Sequence, residues 1–339
     1  MVLSSSSVHL LLSLLLHLIV IAVKSSDVVP QMSDISDYVP SVGEELWEEH
    51  YVTSCPNMQT IIQSKIDEWT AKDPTLAPSL IRLHYMDCAV RGCDGSILLD
   101  NPSSERTAPQ ARGLRGFQVI DDIKNELERQ CPETVSCADI LSTVARDATV
   151  KVGGPFWSMS YGRKDGFISK AEEMSLVPMG YENVTYLIEF FQSKGLNMVD
   201  LVVLSGAHTI GRATCDAIQD RIFNFKATGK ADPSIKPQYL DFLKRKCRWG
   251  SDYVHLDPTT PNTFDNKYYK NIQAGMSTLA TDHSLKIDSR TSPLINVFAE
   301  SDWLFHQQFA VSMINLGDTD ILTGDDEGEI RVNCNYVNQ

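Results

Sequence analysis

The chain has 339 residues, 42% of them hydrophobic and 22% charged, which excludes wholesale disorder. That length can bury one large core or two. With 44 acidic residues against 30 basic ones, the net charge of −14 disfavours nucleic acid, anionic membranes and, unless local basic patches intervene, acidic polysaccharides.

In chain order, the first element is an apolar stretch from Val8 to Val23, interrupted by Ser13 and His17 and followed by the small residues Ser25 and Ser26. It is short beside the ~20 residues of a spanning helix. Residues 1–25 therefore read as a signal peptide, although no positive charge precedes the apolar run. An uncleaved anchor is the alternative. Residues 26–50 are acidic and without periodicity, and are expected to form a solvated arm. Residues 51–339 read as a single domain, because no linker divides them. No later stretch is apolar enough to span a bilayer, and the polar C-terminus argues against a lipid-anchor tail.

Apolar residues three or four apart predict helices throughout this region. Ile61, Ile62, Ile66 and Trp69 share one face of 58–69, and Val119, Ile120, Ile123 and Leu127 one face of 117–127. The same spacing recurs over 140–150, 186–191, 242–247 and 303–316, while alternating strand patterns are scarce. The expected class is mainly α. Eight cysteines (Cys55, Cys88, Cys93, Cys131, Cys137, Cys215, Cys247 and Cys334) behind a signal peptide predict four disulfides. Their spacing leaves the pairing open and contains no CxxC. Asn183-Val184-Thr185 is the one glycosylation sequon not blocked by proline.

Three stretches carry chemistry. In Arg82 to Ser96, Arg82, Tyr85 and Met86 share a helical face and His84 points elsewhere. Asp87, Asp94 and Ser96 then place hard oxygens around a turn with Gly92 and Gly95. That arrangement suits calcium, or a turn capped by its own Asp side chains; the spacing is not that of an EF-hand. His208 lies in an apolar run edged by Gly206 and Gly211, which by itself fits a satisfied core histidine better than a ligand. Asp257 to Asn266 is a second cluster of carboxylates and hydroxyls.

The segments RLHYMDCAVRGCDGSILLD, VSCADIL, ARDA, GGPFW, GRKDG, VVLSGAHTIG, TPNTFDNKYY and GEIR follow one another from about Tyr51 to Cys334. In order and interval they resemble the plant secretory (class III) haem peroxidases. The resemblance implies a two-part helical haem peroxidase fold with one haem b between the halves. It implies His208 as the proximal iron ligand and Asp282 as the carboxylate holding the other imidazole N–H, with the neighbouring His283 not a ligand. It implies two calcium ions. One is held by Asp87, Asp94, Ser96 and the carbonyls of Val90 and Gly92, with Glu105 behind them; the other by Thr209, Asp257, Thr260, Asp265 and the carbonyl of Thr263. The implied disulfides are Cys55–Cys131, Cys88–Cys93, Cys137–Cys334 and Cys215–Cys247, and Pro178 would line the entrance for aromatic donors. The implied partners are hydrogen peroxide and small phenolic donors. The implied protein is a monomer secreted to the extracellular or cell-wall space, with the vacuole as alternative, and without nucleic acid or, after signal removal, membrane.

One position departs from that family. Its distal helix reads Arg-Leu-His-Phe-His-Asp-Cys, whereas this chain reads Arg82-Leu83-His84-Tyr85-Met86-Asp87-Cys88. In the family the second histidine moves a proton between the two oxygens of peroxide so that water leaves. A thioether has no proton to move. The asparagine that supports that histidine is matched by Gln110, in a loop one residue shorter. His84 matches a buried structural histidine of the family and is not a substitute. Tyr85 either holds a water with its hydroxyl or replaces a packing phenylalanine. Three readings follow: a haem peroxidase with weakened peroxide activation; a haem-binding protein of little turnover with a binding or slow redox role; and a haem-free structural protein, against which His208 and Asp282 speak.

Overall fold

Twelve α-helices, several 3₁₀ turns and one two-stranded ladder make up the residues that the computed structural model describes, 46–324 and 326–339. The expected signal peptide (1–25) and all but the end of the expected arm (26–50) lie outside the described residues.

The first helical group is α1 (Met58–Lys72), α2 (Leu76–Cys88), α3 (Phe117–Gln130) and α4 (Cys137–Lys151). α2 packs along α4, and α1 packs on both α3 and α4. The periodic residues explain why: Ile62 and Ile66 of α1 and Val119, Ile120, Ile123 and Leu127 of α3 are all buried. Each such side chain contributes about 1.5–3 kcal/mol by leaving water. The start of α4 is fixed by Ser136, whose hydroxyl accepts from Asp139 N at 3.1 Å. The buried Asp165 carboxylate accepts from Cys137 N at 3.0 Å and Ala138 N at 2.9 Å, placing an anion at the positive end of that helix.

The second group is α5 (Val184–Ser193), α6 (Met198–Ser205), α7 (Gln219–Phe223), α8 (Pro237–Lys246), α9 (Lys267–Gln273), α10 (Ala280–Ile287), α11 (Ser292–Glu300) and α12 (Asp302–Gly317). An Asn197–Asp200 capping box starts α6. α12 packs on α6 and reaches back to α2, joining the groups. Phe264, Phe305, Phe309 and Tyr269 form the aromatic centre of this half. Between α6 and α9 the chain makes an excursion with its own small core, which includes Ile218, Ile222, Leu243 and Val254. It is closed by β1 (Arg212–Thr214) antiparallel to β2 (Tyr253–His255), with Arg212 opposite His255, and by the Cys215–Cys247 disulfide.

The mainly α class holds, and each of the six periodic stretches falls on a helix. The eight cysteines pair as Cys55–Cys131, Cys88–Cys93, Cys137–Cys334 and Cys215–Cys247. The body begins before Tyr51: Trp47 and Tyr161 exchange backbone hydrogen bonds of 3.1 and 3.0 Å, so the end of the expected arm belongs to the fold. Tyr51 itself is buried, its hydroxyl donating to Asp139 Oδ2 at 2.7 Å. Among the described residues no helix is long and apolar enough to cross a membrane.

Candidate active site

His208 sits in a 3₁₀ turn, Gly206–Thr209, that follows directly on α6. The turn lies tight against the aromatic centre: a Cβ at Gly206 would collide with the Tyr269 hydroxyl and the Phe305 ring. His208 Nδ1 is 3.0 Å from Asp282 Oδ1, and the imidazole is one-third exposed. Asp282 is buried in the first turn of α10, where its other oxygen accepts from Leu279 N at 3.3 Å. A carboxylate accepting at Nδ1 places the proton there and leaves the Nε2 lone pair available. Nε2 has no hydrogen-bond partner among the described residues. An oriented, part-exposed imidazole of this kind fits an iron ligand. His283, next in α10 after Asp282, has a buried Nδ1 without a partner, and burial, with Arg221, holds its pKa down.

Sequence reasoning missed a third member of this group. The Tyr268 hydroxyl donates to Asp282 Oδ1 at 2.9 Å, the same oxygen that faces His208. Burial and the Asp282 charge raise the Tyr268 pKa far above its ordinary value, so the phenol keeps its proton and donates it. The signal lay in the paired tyrosines of KYY, but nothing in their spacing pointed to Asp282.

On α2, Arg82 and Met86 lie one turn apart on one face. Arg82 is solvent-accessible, and the protein packed around it lowers its pKa by desolvation. Its Nη2 donates to the backbone carbonyl of Gln110 at 3.1 Å, in the 3₁₀ turn Pro109–Ala111. Met86 is buried and offers only its thioether. Tyr85, packed at the edge of the core, has a pKa raised by burial and by Glu182, so it cannot act as a base near neutrality. His84 is buried beside the Cys88 sulfur at 3.6 Å, and burial with the Arg163 charge lowers its pKa to about 3. His84, Cys88 and Cys93 are near enough to share a metal, but the two cysteines are joined in a disulfide. Among the described residues of α2, none on the Arg82–Met86 face carries a group able to shuttle a proton near pH 7.

The oxygens of the turn after α2 are gathered and buried. Asp87 accepts from Gly95 N and Ile97 N at 2.9 and 3.2 Å, and Asp94 from Ser96 N at 2.9 Å. Ser96 Oγ and both Glu105 carboxyl oxygens are buried without a partner. Desolvation, then the neighbouring Asp94, raises the Asp87 pKa; the same causes in the same order push Glu105 to about 8. Buried carboxylates with orphaned oxygens are what a hard cation would satisfy. The Val90 carbonyl accepts from Lys194 Nζ at 2.5 Å, and Gly92 adopts φ +107°, a backbone shape suited to glycine.

The second cluster gathers around Thr209, next to His208. The Thr209 hydroxyl lies 3.5 Å from Asp257 Oδ2 and 3.3 Å from Asp265 Oδ1, and Thr260 Oγ1 donates to Asp265 Oδ1 at 3.0 Å. Thr263 closes the same loop, its N–H donating to Thr260 O at 3.1 Å. Two carboxylates and two hydroxyls, three of them from the 257–265 loop and one from the turn that carries His208, fit a second hard cation.

Pro178 is half-buried between the exposed Leu176, Met179 and Tyr181. Glu182 orders this loop by accepting from the N–H groups of Met179, Gly180 and Tyr181 at 2.8, 3.0 and 3.0 Å. Asn183 is exposed and caps α5 through Oδ1, 3.0 Å from Tyr186 N.

A family model described as Peroxidase matches residues 62–301. The chain is 52% identical to Peroxidase 7 of Arabidopsis thaliana over 291 residues, which is 85% of this chain and 83% of that protein. It is 41% identical to Peroxidase N1 of Nicotiana tabacum over 295 residues (85% and 89%). It is 40% identical to the lignin-forming anionic peroxidase of Nicotiana tabacum over 297 residues (85% and 91%).

Proposed function

The chain belongs to the plant class III peroxidases, and on that premise we propose that it is a secreted haem enzyme oxidising phenolic donors with hydrogen peroxide, its peroxide activation slowed by Met86. Haem, when bound, supplies the redox-active iron at which peroxide is reduced. His208 would hold it through Nε2, and Asp282, accepting at Nδ1, would keep that proton in place and make the imidazole a stronger donor. Arg82, steadied by the Gln110 carbonyl, presents a permanent cation to negative charge on the departing oxygen. Met86 occupies the position from which a proton would be moved and cannot move one. Positioned acid–base catalysis is worth about 10² to 10⁴ in rate, so the expected loss is of that order.

Two calcium ions, in this reading, hold the segments that carry these residues. Asp87, Asp94, Ser96 and the carbonyls of Val90 and Gly92 would bind one, with Glu105 behind them; the orphaned Ser96 and Glu105 oxygens support it. Thr209, Asp257, Thr260, Asp265 and the carbonyl of Thr263 would bind the other, one residue from His208. The Pro178 loop, with its exposed apolar neighbours, would receive the phenol ring. Secretion to the cell-wall space, glycosylation at Asn183 and a monomeric state complete the reading.

The observation that carries it is that, among the described residues of α2, no proton carrier near neutrality accompanies Arg82, since the Tyr85 phenol stays protonated and His84 is buried beside the Cys88 sulfur. The test is the rate at which the haem-loaded protein reacts with hydrogen peroxide, compared with Arg82→Leu. A slow reaction made slower by that change is expected; wild-type speed unaffected by it would refute the assignment. The same observation favours a second reading, a haem-binding protein with no steady turnover. It would show a haem spectrum dependent on His208 and no sustained donor oxidation.

A further inference from the structure

A thioether cannot move a proton, but its sulfur is a nucleophile that peroxide oxidises to the sulfoxide. Met86 is 5% exposed and belongs to the main hydrophobic core, which shields it from bulk solvent. By exposure alone it should be oxidised late, well after Met179, which is 39% exposed. Its position on α2 argues otherwise. Arg82 stands one turn earlier on the same face, with a solvent-accessible and permanently charged side chain. Among the described residues the guanidinium joins no ion pair, and its hydrogen bond is the one from Nη2 to the Gln110 carbonyl at 3.1 Å. Its other N–H groups are donors for a small polar ligand.

We propose that Met86 is a modification site, oxidised to the sulfoxide by hydrogen peroxide received at Arg82, and that the sulfoxide then occupies Arg82 and slows further reaction. The inference rests on the function proposed above for the place where peroxide is received. In the step, the sulfur lone pair attacks one peroxide oxygen and the O–O bond breaks. The other oxygen leaves as hydroxide, beside the Arg82 cation. It takes up the proton carried by the oxygen now on sulfur, so the products are sulfoxide and water. Sulfur loses two electrons and the peroxide gains them.

This route needs no separate proton carrier, because the proton passes between the two products. It is therefore open on a helical face that lacks such a carrier. Holding peroxide beside the sulfur also replaces a chance encounter by a local one, which offsets the burial of Met86. The product changes the face. A sulfoxide oxygen is a hydrogen-bond acceptor, and leaving it unpaired in the core is costly. Arg82, one turn away on the same face, is a cationic donor for it. A guanidinium engaged there no longer meets the next peroxide.

The test gives the haem-loaded secreted protein successive pulses of hydrogen peroxide without donor. Peptide mass spectrometry then follows the gain of one oxygen at each methionine. Met86 should convert about fivefold or more faster than the exposed Met179, while the buried Met58, on α1, stays unmodified. Arg82→Leu should slow conversion of Met86 about tenfold and leave Met179 unchanged. The rate with peroxide should fall from pulse to pulse as Met86 converts. In Met86→Leu, a volume-conserving change, the second pulse should react as fast as the first. Met179 converting ahead of Met86, equal conversion of Met86 in Arg82→Leu, or an equal fall in rate in Met86→Leu would each overturn the proposal. The haem spectrum of the same samples separates the two levels: Met86 spared in a protein with a His208-dependent spectrum overturns this inference and leaves the haem assignment standing.

Discussion

The Tyr268 hydroxyl and the Asp282 carboxylate are joined by a 2.9 Å hydrogen bond to the oxygen that also faces His208. Asp282 Oδ1 is thus shared between a phenol and an imidazole. A donor on a carboxylate oxygen spreads its charge and makes it a weaker acceptor for its other partner. Tyr268→Phe should therefore strengthen the Asp282–His208 bond, enrich the imidazole and lower the haem reduction potential, on the order of tens of millivolts. Spectroelectrochemistry measures the potential, and the iron–histidine stretch in resonance Raman should move up with it. An unchanged or raised potential would mean that Tyr268 only packs.

Removing His208 tests the other end of the same group. His208→Ala should abolish the ordered haem spectrum on reconstitution with haemin, whereas His283→Ala should keep it. The reverse pattern would move the iron ligand to the neighbouring residue.

Calcium removal is expected to act on stability first. Chelation should lower the melting temperature by several degrees, on the order of 5 °C, and shift the haem spectrum, with calcium restoring both. Metal analysis should find two calcium ions per chain, and Asp257→Asn should leave one. Folded protein free of calcium, melting at the same temperature with and without chelator, would contradict the two-site account.

His84 sets an acid limit. Its folded pKa of about 3 lies below the ordinary 6.5, because burial and the Arg163 charge disfavour the imidazolium. Between those values the unfolded chain binds the proton and the folded one does not, so stability falls as the pH drops. The contribution is full above pH ~6.5 and gone near pH ~3, on the order of a few kcal/mol in total. Denaturant titrations across that range should show this slope, and His84→Gln should flatten it. A variant that keeps the wild-type slope would place the acid sensitivity elsewhere.

Much of the architecture was legible because burial follows helical spacing: Val119, Ile120, Ile123 and Leu127 were read as one face and are all buried. His208 was not legible from its own surroundings, since an apolar run with one histidine looks like core; it took the order of motifs along the whole chain. The Arg82–Gln110 contact ends on a backbone carbonyl, which leaves no side-chain signature. Asp165 and Arg331 lie in the GRKDG and GEIR motifs, far apart in sequence, yet both are fully buried, with Arg331 N donating to Asp165 at 3.0 Å. Such long-range pairs are set by tertiary packing, which local spacing does not encode. The start of the body at Trp47 was missed for the same reason: a single backbone bridge to Tyr161 has no periodicity.

The central claim is that one missing proton carrier limits peroxide activation, and restoring it is the direct measurement. Met86→His should raise the second-order rate with hydrogen peroxide in stopped flow by roughly 10² or more. Gln110→Asn added to it should raise the rate further by orienting the new imidazole. Arg82→Leu in the same background should remove most of the gain, because the departing oxygen would lose its cation. If Met86→His, fully loaded with haem, stayed within about twofold of the wild type, the missing histidine would not be the limiting defect and the account would fail.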